Sequence, residues 1–85
     1  MEEKKESILE TAKFYFLNQK YDKAIEIYRE GLESYPDEPQ LHFNLGVVYE
    51  SINDLDNAKE CFEKVLSLDK DFKAASEHLK EIIGN

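Results

Sequence analysis

The sequence predicts an all-α fold built from two copies of one helical hairpin and a closing helix. The first observation is an internal repeat, in which five residues recur thirty-four positions later. The second is the helical spacing of apolar residues in five segments joined by short polar connections. A period near 34 residues is the length of one unit in a stacked helical solenoid. The recurring residues are Tyr15, Asp22, Ala24, Glu26 and Leu32, which return as Tyr49, Asp56, Ala58, Glu60 and Leu66.

The first two helices are separated by a polar break at residues 18–20. Over residues 3–18, Ile8, Ala12 and Tyr15 recur at i, i+4 and i+7, which is the spacing of one helix face. Asp22 lies in the first turn of the second helix, where the helix dipole favours a carboxylate. The apolar face of that helix is formed by Ala24, Ile27, Tyr28 and Leu32.

Two prolines, Pro36 and Pro39, separate the second helix from the third. Pro36 disfavours helical geometry at the residue before it and so ends the second helix. Asp37 is then the predicted N-cap of the third helix, with Gln40 in the capping-box position. The third helix is expected over about residues 38–52. It carries an apolar row at i, i+4, i+7 and i+11 that is predicted to pack on the preceding hairpin: Leu41, Leu45, Val48 and Ile52.

The last two helices begin after acidic breaks in the sequence. Asp54 is the predicted cap of a fourth helix over about residues 55–67. A fifth helix is expected over about residues 72–83, ended by Gly84. The first helix is mostly polar where the third carries its apolar row, and the fifth is polar at Ser76 and Lys80. Both ends are therefore expected to be capped, as terminal repeats must be for solubility.

Composition and charge limit the classes of function. A length of 85 residues allows one domain, and 41% apolar residues support a packed core. The formal charge of −8 disfavours binding to nucleic-acid phosphates and to anionic membrane surfaces. No apolar run approaches the roughly 18 residues that span a bilayer. The sequence therefore predicts no nucleic-acid partner and no membrane insertion.

The cysteine count and the first residues bear on cofactors and location. Cys61 is the single cysteine, so neither an internal disulfide nor a Cys-rich metal site is expected. The opening residues 1–6 lack the apolar segment of a secretion signal. No Gly-rich phosphate loop or catalytic motif is evident. We therefore expect a cytoplasmic protein that is not an enzyme and carries no cofactor.

The second repeat resembles the tetratricopeptide repeat, whose pattern is W-x2-L-G-x2-Y, then A-x3-F, then P. His42 stands in the Trp place and Lys70 in the Pro place, and the first repeat matches more loosely at Ile8, Thr11-Ala12, Tyr15, Ala24, Tyr28 and Pro36. The resemblance implies antiparallel helix-turn-helix repeats stacked as a short right-handed α-solenoid of five helices. Repeat 1 would cover about residues 4–37, repeat 2 about 38–71 and a capping helix about 72–83. The matching residues of the second repeat are Leu45, Gly46, Tyr49, Ala58 and Phe62.

The same resemblance implies a non-enzymatic module that binds a peptide segment or helix of a partner protein on its concave face. The first helix of each repeat would line that face. An apolar strip there can anchor a ligand or can be buried between neighbouring helices, and the sequence leaves both interpretations open. The candidate peptide-binding residues are Leu9, Lys13, Phe16, Leu17, Phe43, Asn44, Val47 and His78.

Charge on that face indicates the class of ligand. Many family members hold the acidic C-terminal tails of chaperones with a clamp of Lys, Asn and Arg side chains. Asn44 falls at one clamp asparagine, but the other clamp places hold Leu9, Lys13, Ala74 and His78. Most of the cationic charge is therefore missing, and a neutral, basic or apolar segment is the expected partner.

Self-association is the alternative function. Phe14 interrupts the otherwise polar outer row of the first helix, and two repeats provide fewer stacked layers than the usual three. Pairing through exposed apolar residues of the first helix would supply the missing burial. A homodimer is therefore a second prediction of the sequence.

Overall fold

The computed structural model describes residues 2–84, with side chains described for residues 4–84, and every regular element in that range is a helix. This confirms the predicted all-α, solenoid-like fold of five helices. None of the helices in the described range is long and apolar enough to cross a membrane. The helices are α1 (Glu2–Leu17), α2 (Tyr21–Ser34), α3 (Pro39–Ser51), α4 (Leu55–Leu68) and α5 (Lys73–Ile83).

The two helical hairpins have the same turn. Gln19 and Asn53 both adopt left-handed backbone conformations, with φ of 62° and 63°. In each turn the backbone N–H of the next residue donates a hydrogen bond to a tyrosine carbonyl at 2.8 Å. The donor is Lys20 and the acceptor Tyr15 in the first turn, and the donor is Asp54 and the acceptor Tyr49 in the second. The sequence repeat is therefore also a repeat of backbone geometry. Because the turns are short and each helix packs on the next, consecutive helices run antiparallel.

The predicted cap of α3 is wrong by one residue. Glu38, not Asp37, is the N-cap, and its carboxylate accepts a hydrogen bond from the Gln40 amide at 3.3 Å. The reason is Pro39, whose fixed φ and missing N–H suit the first position of a helix. Lys5 of α1 also reaches the Glu38 carboxylate at 3.0 Å and so links the two repeats.

The other predicted helix ends are confirmed. The Asp54 carboxylate accepts hydrogen bonds from the backbone and side-chain nitrogens of Asn57, at 3.4 and 2.8 Å. Gly84 ends α5 in the left-handed region, with φ of 92°. That region costs glycine little because it has no Cβ atom.

We predict that Lys20→Asp stabilises the domain. Lys20 is the N-cap of α2 and has the same backbone geometry as Asp54 (φ −92° and −89°), but its side chain makes no capping hydrogen bond. An aspartate there would accept from the first-turn amides of α2, which is worth about 0.5–2 kcal/mol. Urea unfolding of Lys20→Asp and of the control Lys20→Ala, at a protein concentration low enough that self-association does not contribute, measures the gain. An equal change in both variants would contradict the capping explanation.

The core lies between the stacked hairpins. Leu41, Leu45 and Val48 of α3 are buried, as the apolar row predicts. Ile52 departs from that prediction and is 40% exposed, because it follows the last residue of α3 and lies outside the helix interface. Phe62 and Val65 of α4 are fully buried and fill the space beside that row.

Candidate functional site

A groove opens between α1 and α3 with α2 beneath it. It encloses a cavity of about 340 Å³ and brings together five of the eight candidate residues. These five are Lys13, Phe16, Phe43, Asn44 and Val47. Three residues that were not selected from the sequence complete the lining: Tyr28, Gln40 and Val48.

The walls of the groove are apolar and only partly covered. Phe16 of α1 and Val47 of α3 pack against the core with one side and leave the other accessible. Phe16 is held in place by Tyr21, whose ring meets it edge-on with centroids 5.8 Å apart. A partly exposed apolar wall is a common feature of ligand sites.

Phe43 belongs both to the groove and to an aromatic cluster behind it. Its ring centroid lies 5.6 Å from that of Phe62, 5.1 Å from that of Phe72 and 5.4 Å from that of His78. Phe43 is therefore held from three sides while one part of its surface faces the cavity. The sequence left open whether this strip is core or ligand anchor, and Phe43 combines core packing with an exposed edge.

Amide groups form the polar part of the groove. The side-chain Nε2 of Gln40 donates a hydrogen bond to the side-chain Oδ1 of Asn44 at 2.8 Å. Burial raises the pKa of Tyr28, and a side-chain hydrogen bond with Asn44 opposes that shift. Asn44 is thus fixed between α2 and its own helix. Asparagine and glutamine each offer a donor and an acceptor, the two functions that a peptide backbone also presents.

Three of the candidate residues lie outside the groove lining. Leu9 is partly buried against the core. Leu17 is 66% exposed at the last position of α1, beyond the groove. His78 of α5 bonds the Glu50 carboxylate through Nδ1 at 2.8 Å and packs on Phe62 with ring centroids 5.2 Å apart. A role of these residues in binding stays a prediction.

Two of the three further lining residues, Tyr28 and Val48, share one cause. Tyr28 and Val48 were assigned to buried stripes, and the structure does bury both of them. They reach the groove because a side chain at the boundary between core and surface can pack in the core and also line a surface cavity. The hydroxyl group of Tyr28 indicates that this residue could reach the groove, since a buried tyrosine usually finds a hydrogen-bond partner for that group. Gln40 is an exposed residue of α3, and its polarity gives no reason to select it from the sequence.

Cys61 is a buried hydrophobic residue of α4 rather than an activated nucleophile. Burial raises the pKa of its thiol to about 11, and the charges of Glu60 and Asp54 act in the same direction, against that of Arg29. The thiolate is the reactive form of cysteine, so this side chain is protonated and unreactive at neutral pH. Within residues 4–84 no three His, Cys, Asp or Glu side chains come together as a metal site.

Comparisons with known proteins agree with the fold and the repeat. A tetratricopeptide repeat model matches residues 39–72, and a second TPR repeat model matches residues 12–53. A TPR repeat-containing protein of Methanocaldococcus jannaschii is 30% identical over 50 residues, which are 59% of this chain and 16% of that protein.

A solved structure shares the arrangement of the helices. The first TPR of Spaghetti (RPAP3), bound to the HSP90 peptide SRMEEVD, matches with a TM-score of 0.88 and 24% identity. The match covers 94% of this chain and 65% of that chain. The repeat geometry and the two repeat models, which together cover residues 12–72, lead to one conclusion. The chain belongs to the tetratricopeptide repeat family.

Proposed function

We propose that this chain is a non-enzymatic protein-interaction module that binds a peptide segment of a partner in the groove between α1 and α3. The observation that carries this proposal is the pairing of accessible apolar walls with fixed amide groups in one cavity. The similarity of the fold to a TPR that holds an HSP90 peptide supports it. The buried, protonated thiol of Cys61 favours a binding role over a catalytic one.

The groove suits an extended segment with one large apolar side chain. That side chain would enter between Phe16 and Val47 and remove apolar surface from water, which favours binding. The segment's backbone would then lie along Gln40 and Asn44. Because the Gln40–Asn44 hydrogen bond already fixes these amides, little side-chain entropy remains to be lost on binding.

Charge favours a neutral or basic segment over an acidic one. The chain carries a formal charge of −8, and among the described residues that line the groove Lys13 is the one cation. At the other clamp places, Leu9 and Ala74 are uncharged, and His78 is already bonded to Glu50. The peptide SRMEEVD held by the TPR of Spaghetti has three acidic residues, and this chain offers few groups to balance them.

We predict that Asn44→Ala weakens peptide binding at least about tenfold, which corresponds to about 1.4 kcal/mol. The substitution removes the backbone-directed amide and frees Gln40 and Tyr28 from their fixed positions. Calorimetric titration with peptides that share one apolar residue and differ only in acidic, neutral or basic flanks measures both affinity and charge preference. Basic and neutral peptides are expected to bind more tightly than acidic ones.

The matched control is Asn18→Ala. Asn18 follows α1 outside the groove and bonds the Phe14 carbonyl at 2.7 Å. This variant should bind peptides as the unchanged protein does. Equal affinity of the Asn44→Ala protein, or competition by acidic-tailed peptides alone, would contradict the proposal.

A further inference from the structure

The exposed large apolar side chains collect at one edge of the solenoid. In the described part of the chain each of them lies in the last turn of α1 or α5, just after α3, or at the start of α4. Because consecutive helices are antiparallel, these positions share the edge that holds the α1–α2 and α3–α4 turns. We call it the turn edge, and its exposed apolar residues are Phe14, Leu17, Ile52, Leu55 and Ile83.

A cavity confirms that the two turns are neighbours. Ile52, which follows α3, lines a hollow of about 420 Å³ together with residues 19–23 of the α1–α2 turn. Leu17 directly precedes that turn and is 66% exposed. The apolar residues of the turn edge are therefore placed beside each other across the two repeats. Clustered apolar exposure of this kind commonly marks an interaction site.

The two turns have the same backbone and opposite charge. Lys20 of the first turn is replaced by Asp54 at the equivalent position of the second. Asp22 and Asp56 are equivalent and alike, whereas Lys23 is replaced by the neutral Asn57. Over these positions the first turn carries two cations and one anion, and the second carries two anions. Cationic and anionic turns therefore lie side by side on one apolar edge.

We propose that the turn edge binds a second copy of this chain across a twofold axis. A twofold contact pairs residue i with residue j and residue j with residue i, so it places the first turn of each copy on the second turn of its partner. Lys20 of each copy then faces Asp56 of the partner subunit, so this ion pair forms twice in the dimer. Leu17 and Ile52 meet across the axis and are removed from water.

This arrangement goes beyond the proposed peptide binding and leaves the groove open. The turn edge lies at the ends of the helices, whereas the groove residues Asn44 and Val47 lie in the middle of α3, and only Phe16 of the groove lies in the last turn of α1. A dimer would therefore present two grooves at a fixed separation. Two linked sites bind a ligand that carries two segments more tightly than either site alone.

Charge reversal tests this contact. Sedimentation velocity over roughly a hundredfold range of concentration should show a monomer–dimer equilibrium for the unchanged protein. Lys20→Glu and Asp56→Lys, studied separately, should each raise the dimer dissociation constant at least about tenfold, because each places like charges opposite one another. A mixture of the two variants should form a heterodimer, since both contacts are then between opposite charges.

The heterodimer is the decisive observation, because a fold defect in either variant would not be repaired by mixing. Glu63→Lys, on the exposed face of α4, is the control and should dimerise as the unchanged protein does. Circular dichroism of each variant checks that the helices remain. A monomer at every concentration, or two variants that stay monomeric when mixed, would overturn the proposal whatever the result of peptide titration.

Discussion

Phe62→Ala is expected to remove about 3–5 kcal/mol of stability, the largest effect of any single change considered. Phe62 is the largest fully buried side chain, with 0% of its surface exposed. An 85-residue domain has a total stability of about 4–13 kcal/mol, so this loss is a large share of it. Truncation leaves a cavity beneath α3, and it also removes the ring against which Phe43 and His78 pack. Urea unfolding followed by circular dichroism measures the loss.

Phe14→Ala is the matched control for this prediction. Phe14 undergoes the same chemical change but is 60% exposed on α1, so its removal should alter stability by no more than about 0.5 kcal/mol. Both measurements are made at low protein concentration, so that self-association does not contribute. Similar losses in the two variants would mean that the core is not centred on Phe62.

The helices and their order could be predicted because their signals are local. Apolar spacing and a repeat of thirty-four residues depend on neighbouring positions, and the five helices follow them closely. Asp54 and Gly84 were found because capping depends on one residue and its own turn. Asp37 failed as a cap because Pro39 competes for the first helical position, so that Glu38 precedes the helix.

The groove was harder to predict because it depends on contacts between helices. Lys13, Asn44 and Val47 could be predicted because helix spacing places them outside the buried stripes of their own helices, and all three line the groove. Tyr28 could not, because its ring crosses from the core stripe of α2 to the groove between α1 and α3. Leu17 was assigned to the groove by helix spacing alone. Leu17 is the last residue of α1, is 66% exposed and lies outside the groove lining, and its role in binding stays a prediction.

The core and the groove share the side chain of Phe43. One part of its ring lines the cavity, and the rest packs against Phe62, Phe72 and His78. Movement in the aromatic cluster would therefore move a wall of the groove. Under the proposed peptide binding, we expect changes in the interface of α3 and α4 to alter peptide affinity, even where the changed residue touches no ligand.

Gly46→Val is expected to show this coupling with a loss of about 3 kcal/mol of stability. A Cβ atom at Gly46 would lie 2.7 Å from Cε1 of Phe62, closer than Cβ atoms approach, and 3.0 Å from Cβ of Cys61, a tight contact. The Phe62 ring is fully buried and has no free space to enter, so α3 and α4 must separate. Phe43 would move with them, and peptide affinity should fall together with stability.

Gly31→Val is the comparison that isolates the cause. A Cβ atom there would lie 2.8 Å from Cγ2 of Ile8, a side chain that is only partly buried, and 3.6 Å from Leu41. Because Ile8 is only partly buried, it can shift toward solvent, so this variant should lose about 1 kcal/mol or less. It should bind peptides normally because Ile8 does not line the groove. Helix propensity favours valine over glycine at both positions, so equal losses would show that the clash with the Phe62 ring is not the cause. If the two variants differ in stability but bind peptides with equal affinity, the aromatic cluster is not coupled to the groove.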